Sequence, residues 1–139
     1  MNKQLTINVR SFSYKKEIPA DLSGNGGGFV FDCRGVLNPG RIEQYKTQTG
    51  RDEAVKVYLE NETQISEFLA AAFAMVDLTV TDYLARGFSN LEVNFGCTGG
   101  QHRSVYSADA MAHHLQEKFP TAHVQLQHVE QEAKNWINE

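Results

Sequence analysis

Apolar and polar residues alternate at the start of the chain. Leu5, Ile7 and Val9 interleave with Thr6, Asn8 and Arg10, the period of a half-buried strand. A polar segment carrying Pro19 and a glycine run, GNGGG, then leads into a second short apolar run, FVFDC, read as another strand. The bland reading of that glycine run is a loop, since no phosphate-loop lysine follows it. Asn38-Pro39-Gly40 is a turn signal, because proline fixes its own φ and glycine tolerates positive φ. Asp52 is placed to cap a short helix burying Val55, Tyr58 and Leu59. From there the period changes. Ile65, Leu69, Ala72, Val76, Val80 and Tyr83 recur at helical spacing, which predicts a long helix over 62–86 that stops at Gly87. Leu91, Val93 and Phe95 alternate again as a third strand. A helix over 101–118 then buries Val105, Ala108, Ala112, Leu115 and Phe119, and Pro120 prevents its continuation. Ala122, Val124 and Leu126 give a last strand, and the tail HVEQEAKNWINE reads as a helix docked by Trp136.

Strands alternating with helices predict an α/β fold: one domain over 1–139, with a mixed, mostly parallel sheet and flanking helices. Composition narrows the class further. Of 139 residues, 41% are hydrophobic, which suits a packed core and excludes a disordered chain. Two cysteines make no disulfide framework, and the reading expects a reduced, cytoplasmic setting. The N-terminus lacks the continuous apolar stretch of a signal peptide, and no apolar run approaches the roughly 20 residues of a membrane span. A formal charge of −4 provides no general footprint for nucleic acid. Five histidines show no zinc-ligand spacing, and the adjacent His113 and His114 point in different directions on a helix, so no metal and no cofactor is expected. Cys33 reads as a small buried apolar residue.

The chemistry gathers in FGCTGGQHRSV, between the third strand and the next helix. A strand that turns directly into a helix presents backbone N–H groups and the positive end of a helix dipole, so it suits an anion. Gly99 and Gly100 allow close approach, Thr98 and Ser104 offer hydroxyls, and Arg103 offers a planar fork. His102 serves as a second cation or a proton donor according to its protonation. In α/β sheets ligands sit beyond the carboxyl ends of strands. Asp32, Arg34 and Asn38 follow one such end, and Cys97 with Gln101 and its neighbours follows another, so both loops can share a rim. Asp32 beside Arg34 is either a loop-fixing ion pair or a pair of ligand contacts.

Two families resemble this pattern. In the cysteine-dependent phosphatases the loop is Cys-x5-Arg followed by Ser or Thr, matched by Cys97, Arg103 and Ser104. That resemblance implies Cys97 as a nucleophile. Those enzymes carry histidine before the cysteine, where this chain has Gly96. The chain is also similar, over nearly its whole length, to the C-terminal domain of the RapZ and YvcJ family of RNase adapter proteins. The residues that carry this are the ungapped string from Gly96 to Tyr106, then Phe31, Asp32, Arg34, Asn38 and Pro39, then Thr49 and Gly50. The resemblance implies a domain like part of 6-phosphofructokinase. It also implies a non-catalytic regulatory role, a phosphorylated amino sugar as ligand, homo-oligomers, and contacts with small RNAs. The ligand would lie between the 97–104 loop and Asp32, Arg34 and Asn38. No membrane partner is implied. This sequence contains no GxxxxGK[ST] string, so ATP or GTP hydrolysis is not expected of it. The histidine after Asn-Pro is Gly40, and residues 128–139 carry three glutamates and one lysine where the family has a basic RNA-binding tail.

Overall fold

The computed structural model describes residues 4–133. Four strands form one sheet: β1 (Thr6–Ser13), β2 (Gly28–Asp32), β3 (Asn90–Cys97) and β4 (His123–His128). Their spatial order is β2-β3-β1-β4, and every pairing is parallel, with Ile7 level with Leu91 and Val124. Three helices carry the chain between strands: α1 (Glu53–Glu62), α2 (Ile65–Arg86) and α3 (Arg103–Lys118). A short α4 (Val129–Ala133) follows β4. The expected helix over 62–86 begins instead at Ile65. Thr63 breaks it from α1, its hydroxyl donating to the Leu59 carbonyl at 2.5 Å. Gly87 ends α2 in the left-handed conformation, φ 73°. Within the described residues the expected helical tail is α4, and the remainder of it, with Trp136, lies outside them.

The period-2 pattern of the strands becomes a two-faced sheet. Ile7 and Val9 of β1 and Leu91, Val93 and Phe95 of β3 pack against Val55, Leu59, Leu69, Val76, Ala108 and Met111 of the helices. This is the core, and burying its apolar surface supplies the main favourable contribution to folding. The other face departs from simple alternation, because β3 is buried at all eight positions. Glu92, only 2% exposed, accepts from Asn8 at 2.6 Å and Asn90 at 2.9 Å and pairs with Arg10. A buried carboxylate is tolerated when its oxygens are met in this way. Tyr14 and Phe12 pack edge to face over Gly96, and a Cβ at Gly96 would lie 2.4 Å from Phe12.

α2 departs from the expectation that no apolar run approaches the length of a membrane span. Among the described residues it is a single helix long and apolar enough, by those two measures, to cross a membrane. Its alanines raise that apolar count, while Ile65, Leu69, Ala72, Val76 and Val80 pack into the core.

Candidate functional site

The end of β2 is locked before it reaches the site. The Asp32 carboxylate caps a 3-10 turn, Cys33–Gly35, by accepting from the Arg34 N–H at 2.9 Å. The same carboxylate takes both Nε (2.9 Å) and Nη2 (2.7 Å) of the Arg34 guanidinium, which lies 3.9 Å over the Tyr14 ring. These bonds from Arg34 hold the Asp32 carboxyl below its usual range. The ion-pair reading of Asp32 and Arg34 is therefore realised. Asn38 caps the next 3-10 turn, Pro39–Arg41, its Oδ1 accepting from the Gly40 N–H at 2.9 Å with proline at the first position.

The end of β3 is built differently, with most of its polar groups turned inward. Cys97 is 2% exposed, lies in the hydrophobic core and donates to the Ser104 hydroxyl at 3.1 Å. Thr98 is exposed, and its carbonyl accepts the Ser13 hydroxyl at 2.6 Å. Gly99 has nothing within 4 Å of where a Cβ would stand. Gly100 has φ +66°, and a Cβ there would meet Glu130 at 2.7 Å. Gln101 donates to the carbonyls of Lys46 and Gln48. His102 is buried and meets the Tyr45 carbonyl at 2.8 Å. Desolvation lowers its affinity for a proton, so it is a neutral ring that donates to a carbonyl rather than a second cation. A side chain at position 40 would start 3.5 Å from that ring, so the histidine of the resembling family would stand beside His102. Gly50 explains the Thr-Gly pair: a Cβ there would lie 2.3 Å from the His102 carbonyl oxygen and 2.5 Å from the Tyr106 nitrogen. Only glycine lets this loop lie against the first turn of α3.

Arg103 joins the two ends. It is 4% exposed, and its Nη1 donates to the carbonyls of Arg34 at 3.1 Å and Val36 at 2.7 Å. Its Nε is buried with no hydrogen-bond partner among the described residues. Arg103 also lines a cleft of about 690 Å³ that opens between the 34–41 loop and the junction of α1 with α2. Arg34, Asn38 and Arg41 form one wall, and Asn61, Glu62, Thr63 and Gln64 form the other. Arg34, Arg41 and Arg103 against Glu62 in the lining and Asp32 behind Arg34 leave an excess of positive charge, which favours an anionic guest. Of the sequence-read residues, the structure brings Arg34, Asn38 and Arg103 into this cleft, with Asp32 fixing Arg34 from behind. Cys97, Gln101, His102 and Ser104 fasten the loop to its surroundings instead. Arg41 and the α1–α2 junction were missed. Their one signal is the polar NETQ interruption between two apolar stripes.

A second polar chain lies on the far side of α3. The Ser11 hydroxyl is 2.6 Å from His128 Nδ1, His128 Nε2 is 2.8 Å from Asp109, and Arg51 grips Asp109 with two nitrogens. The order resembles a hydrolase triad, but Ser11 is completely buried, so it has no route to a substrate. Burial raises the Asp109 pKa, yet the bonds from His128 and Arg51 outweigh it and the net shift is downward. Cys33 is buried like Cys97, and burial pushes its thiol up to about 12. No cluster of three metal-ligating side chains occurs among the described residues.

Residues 5–132 match the family model of the RapZ C-terminal domain. A nucleotide-binding protein of Ruminiclostridium cellulolyticum is 37% identical over 132 residues, covering 95% of this chain and 44% of that protein. Proteins of the same description from Endomicrobium trichonymphae and Cereibacter sphaeroides are each 37% identical over 114 residues, covering 82% of this chain and 38% and 36% of theirs. The chain thus spans less than half the length of these curated relatives.

Proposed function

The chain belongs to the RapZ C-terminal domain family, and from that premise we propose that it is a non-catalytic binding domain for a small phosphorylated metabolite, of which a sugar phosphate is the best fit. The observation that carries this is the cleft lined by Arg34, Arg41 and Arg103, where the buried Arg103 Nε has no hydrogen-bond partner among the described residues. A phosphate oxyanion accepts charge-assisted hydrogen bonds from guanidinium groups, and arginine presents two parallel donors to it. Arg103, which lines the cleft, is also the first residue of α3. Asn38, Asn61, Thr63 and Gln64 are neutral hydrogen-bonding groups of the type that meets sugar hydroxyls. Glu62 is the one carboxylate of the lining among the described residues and suits an amine on the same ligand.

Geometry favours binding over phosphoryl transfer. A cysteine phosphatase needs an exposed thiolate and a protonated acid beside it. Cys97 is packed in the core, and Asp32 is held ionised by Arg34.

A thermal-shift screen with glucose-6-phosphate, glucosamine-6-phosphate, fructose-6-phosphate and inorganic phosphate tests the reading, because a ligand that binds only the folded state raises the melting temperature. At least one sugar phosphate is expected to raise it more than inorganic phosphate does. Arg41→Ala is expected to weaken that ligand about tenfold, the order of one charged hydrogen bond, without lowering the ligand-free melting temperature. Equal response of Arg41→Ala and wild type would remove the cleft from the account.

A further inference from the structure

We infer that Cys33 and Cys97 are a redox pair: a peroxide joins them in a reversible disulfide that ties the ends of β2 and β3 together beside the Arg103 clamp. Asp32 is level with Gly96 in the parallel ladder and keeps an extended backbone, φ −91° and ψ 109°, so the next residues on the two strands are Cys33 and Cys97. Neighbouring strands run about 4.8 Å apart, inside the roughly 4.4–6.8 Å of Cα separation that a disulfide spans. The two side chains also share a face. Two residues earlier the same register stacks Phe31 on Phe95, with ring centroids 5.1 Å apart, and the strand period returns Cys33 and Cys97 to that side. Both are buried in the core against α3. Cys33 Sγ donates to the Ser107 hydroxyl at 3.8 Å and Cys97 Sγ to that of Ser104 at 3.1 Å. Ser104 and Ser107 are neighbours on one helix face, so the two sulfurs stand side by side against it. Both thiols are free.

Burial selects the oxidant and the order of events. Cys33 is completely buried, whereas Cys97 directly precedes the exposed Thr98 and the open backbone of Gly99. Hydrogen peroxide is far smaller than a phosphate ester and suits a thiol behind such a turn. Burial also pushes the Cys33 thiol up to about 12, which leaves Cys97 as the first to react. The Cys97 thiolate attacks one peroxide oxygen, the O–O bond breaks, and the departing hydroxide takes the thiol proton as water. Cys97 is then a sulfenic acid. The Cys33 sulfur displaces its hydroxyl, the S–S bond forms, and the Cys33 proton leaves in a second water. Two electrons pass from the sulfurs to the peroxide, and a dithiol returns them by exchange. The bond would act on the cleft from behind. Cys33 opens the 3-10 turn whose Arg34 and Val36 carbonyls hold Arg103, and Cys97 opens the loop that delivers Arg103.

Peroxide treatment of the folded 139-residue chain tests the inference without reference to any ligand. The two free thiols are expected to fall to none, with loss of the mass of two hydrogens. A tryptic digest should then contain one cross-linked pair of peptides, holding Cys33 and Cys97, and dithiothreitol should restore both thiols. The oxidised chain should unfold at a higher urea concentration than the reduced one, because the bond closes the segment between residues 33 and 97 in the unfolded chain. Cys33→Val keeps an apolar side chain of similar size in the core and should leave the reduced midpoint unchanged. In that variant Cys97 should stop at the sulfenic acid and be trapped by dimedone. Two thiols surviving peroxide in the folded chain, a bond between two chains, oxidation seen only in urea, or equal urea midpoints for the oxidised and reduced forms would each overturn the proposal.

Discussion

Arg103 and Cys97 illustrate how far a residue's role depends on where its side chain turns. Both fall in one loop and both fit the Cys-x5-Arg spacing of a phosphatase. In the fold Cys97 turns into the core toward Ser104, while Arg103 reaches across to the carbonyls of Arg34 and Val36. Spacing identifies candidates, but rotamers decide which of them meets a ligand. Cys97→Ser is therefore expected to keep the fold and the response to ligand, since the Arg103 clamp and the α3 terminus survive. Wild type and variant should release p-nitrophenol from its phosphate ester no faster than a protein-free control. Turnover present in the wild type and absent in the variant would restore the nucleophile reading. His102 shows the same dependence on surroundings. Its position in the string allowed a cation, whereas desolvation by burial lowers its affinity for a proton, more than the Tyr45 carbonyl raises it.

Elements are held in register by groups that no local pattern discloses. Ser11 and His128 lie 117 positions apart, and their bond forms only because β1 pairs with β4. Asp109 on α3 completes the chain to Arg51 ahead of α1, so one carboxylate ties four segments. Asp109→Asn is expected to cost about 1–3 kcal/mol, the range for a partly buried charged hydrogen-bond network, read as a lower urea midpoint. The pH dependence follows from the direction of the shift. The folded carboxyl is more acidic than the unfolded one at about 3.9, so its stabilisation is complete above that value. It is lost as pH falls through the folded value. The deficit of Asp109→Asn against wild type should therefore be full at neutral pH and shrink in acid. A deficit independent of pH would mean that shape, not charge, is at stake. The strands and both long helices were legible in advance, because Leu5, Ile7 and Val9 keep period 2 while Ile65, Leu69, Ala72 and Val76 keep a helical period. The start of α2 was not. Glu62 continues the helical run in sequence, and only the Thr63 hydroxyl on the Leu59 carbonyl shows where α1 stops.

At the scale of the molecule, the parallel sheet determines what can meet what. The order β2-β3-β1-β4 puts the ends of β2 and β3 side by side, Asp32 level with Gly96, and so sets the 34–41 loop beside the first turn of α3. The shared rim was legible from the two strand ends. The second wall, from Asn61 to Gln64, was not, because it belongs to a helix junction brought over by tertiary packing. Nor could alternation show that Glu92 is buried on the far face, since that depends on Asn8, Asn90 and Arg10 meeting its oxygens. The central claim is that the cleft between these two walls receives the phosphate of a small metabolite. The most direct test is a titration of the isotopically labelled protein with glucosamine-6-phosphate and glucose-6-phosphate, followed by two-dimensional amide NMR. The account predicts saturable shifts for at least one ligand, concentrated at residues 34–41, 61–64 and 98–104, with the Arg103 side-chain Nε–H among them. Shifts confined to other surfaces, or none at millimolar ligand, would contradict it.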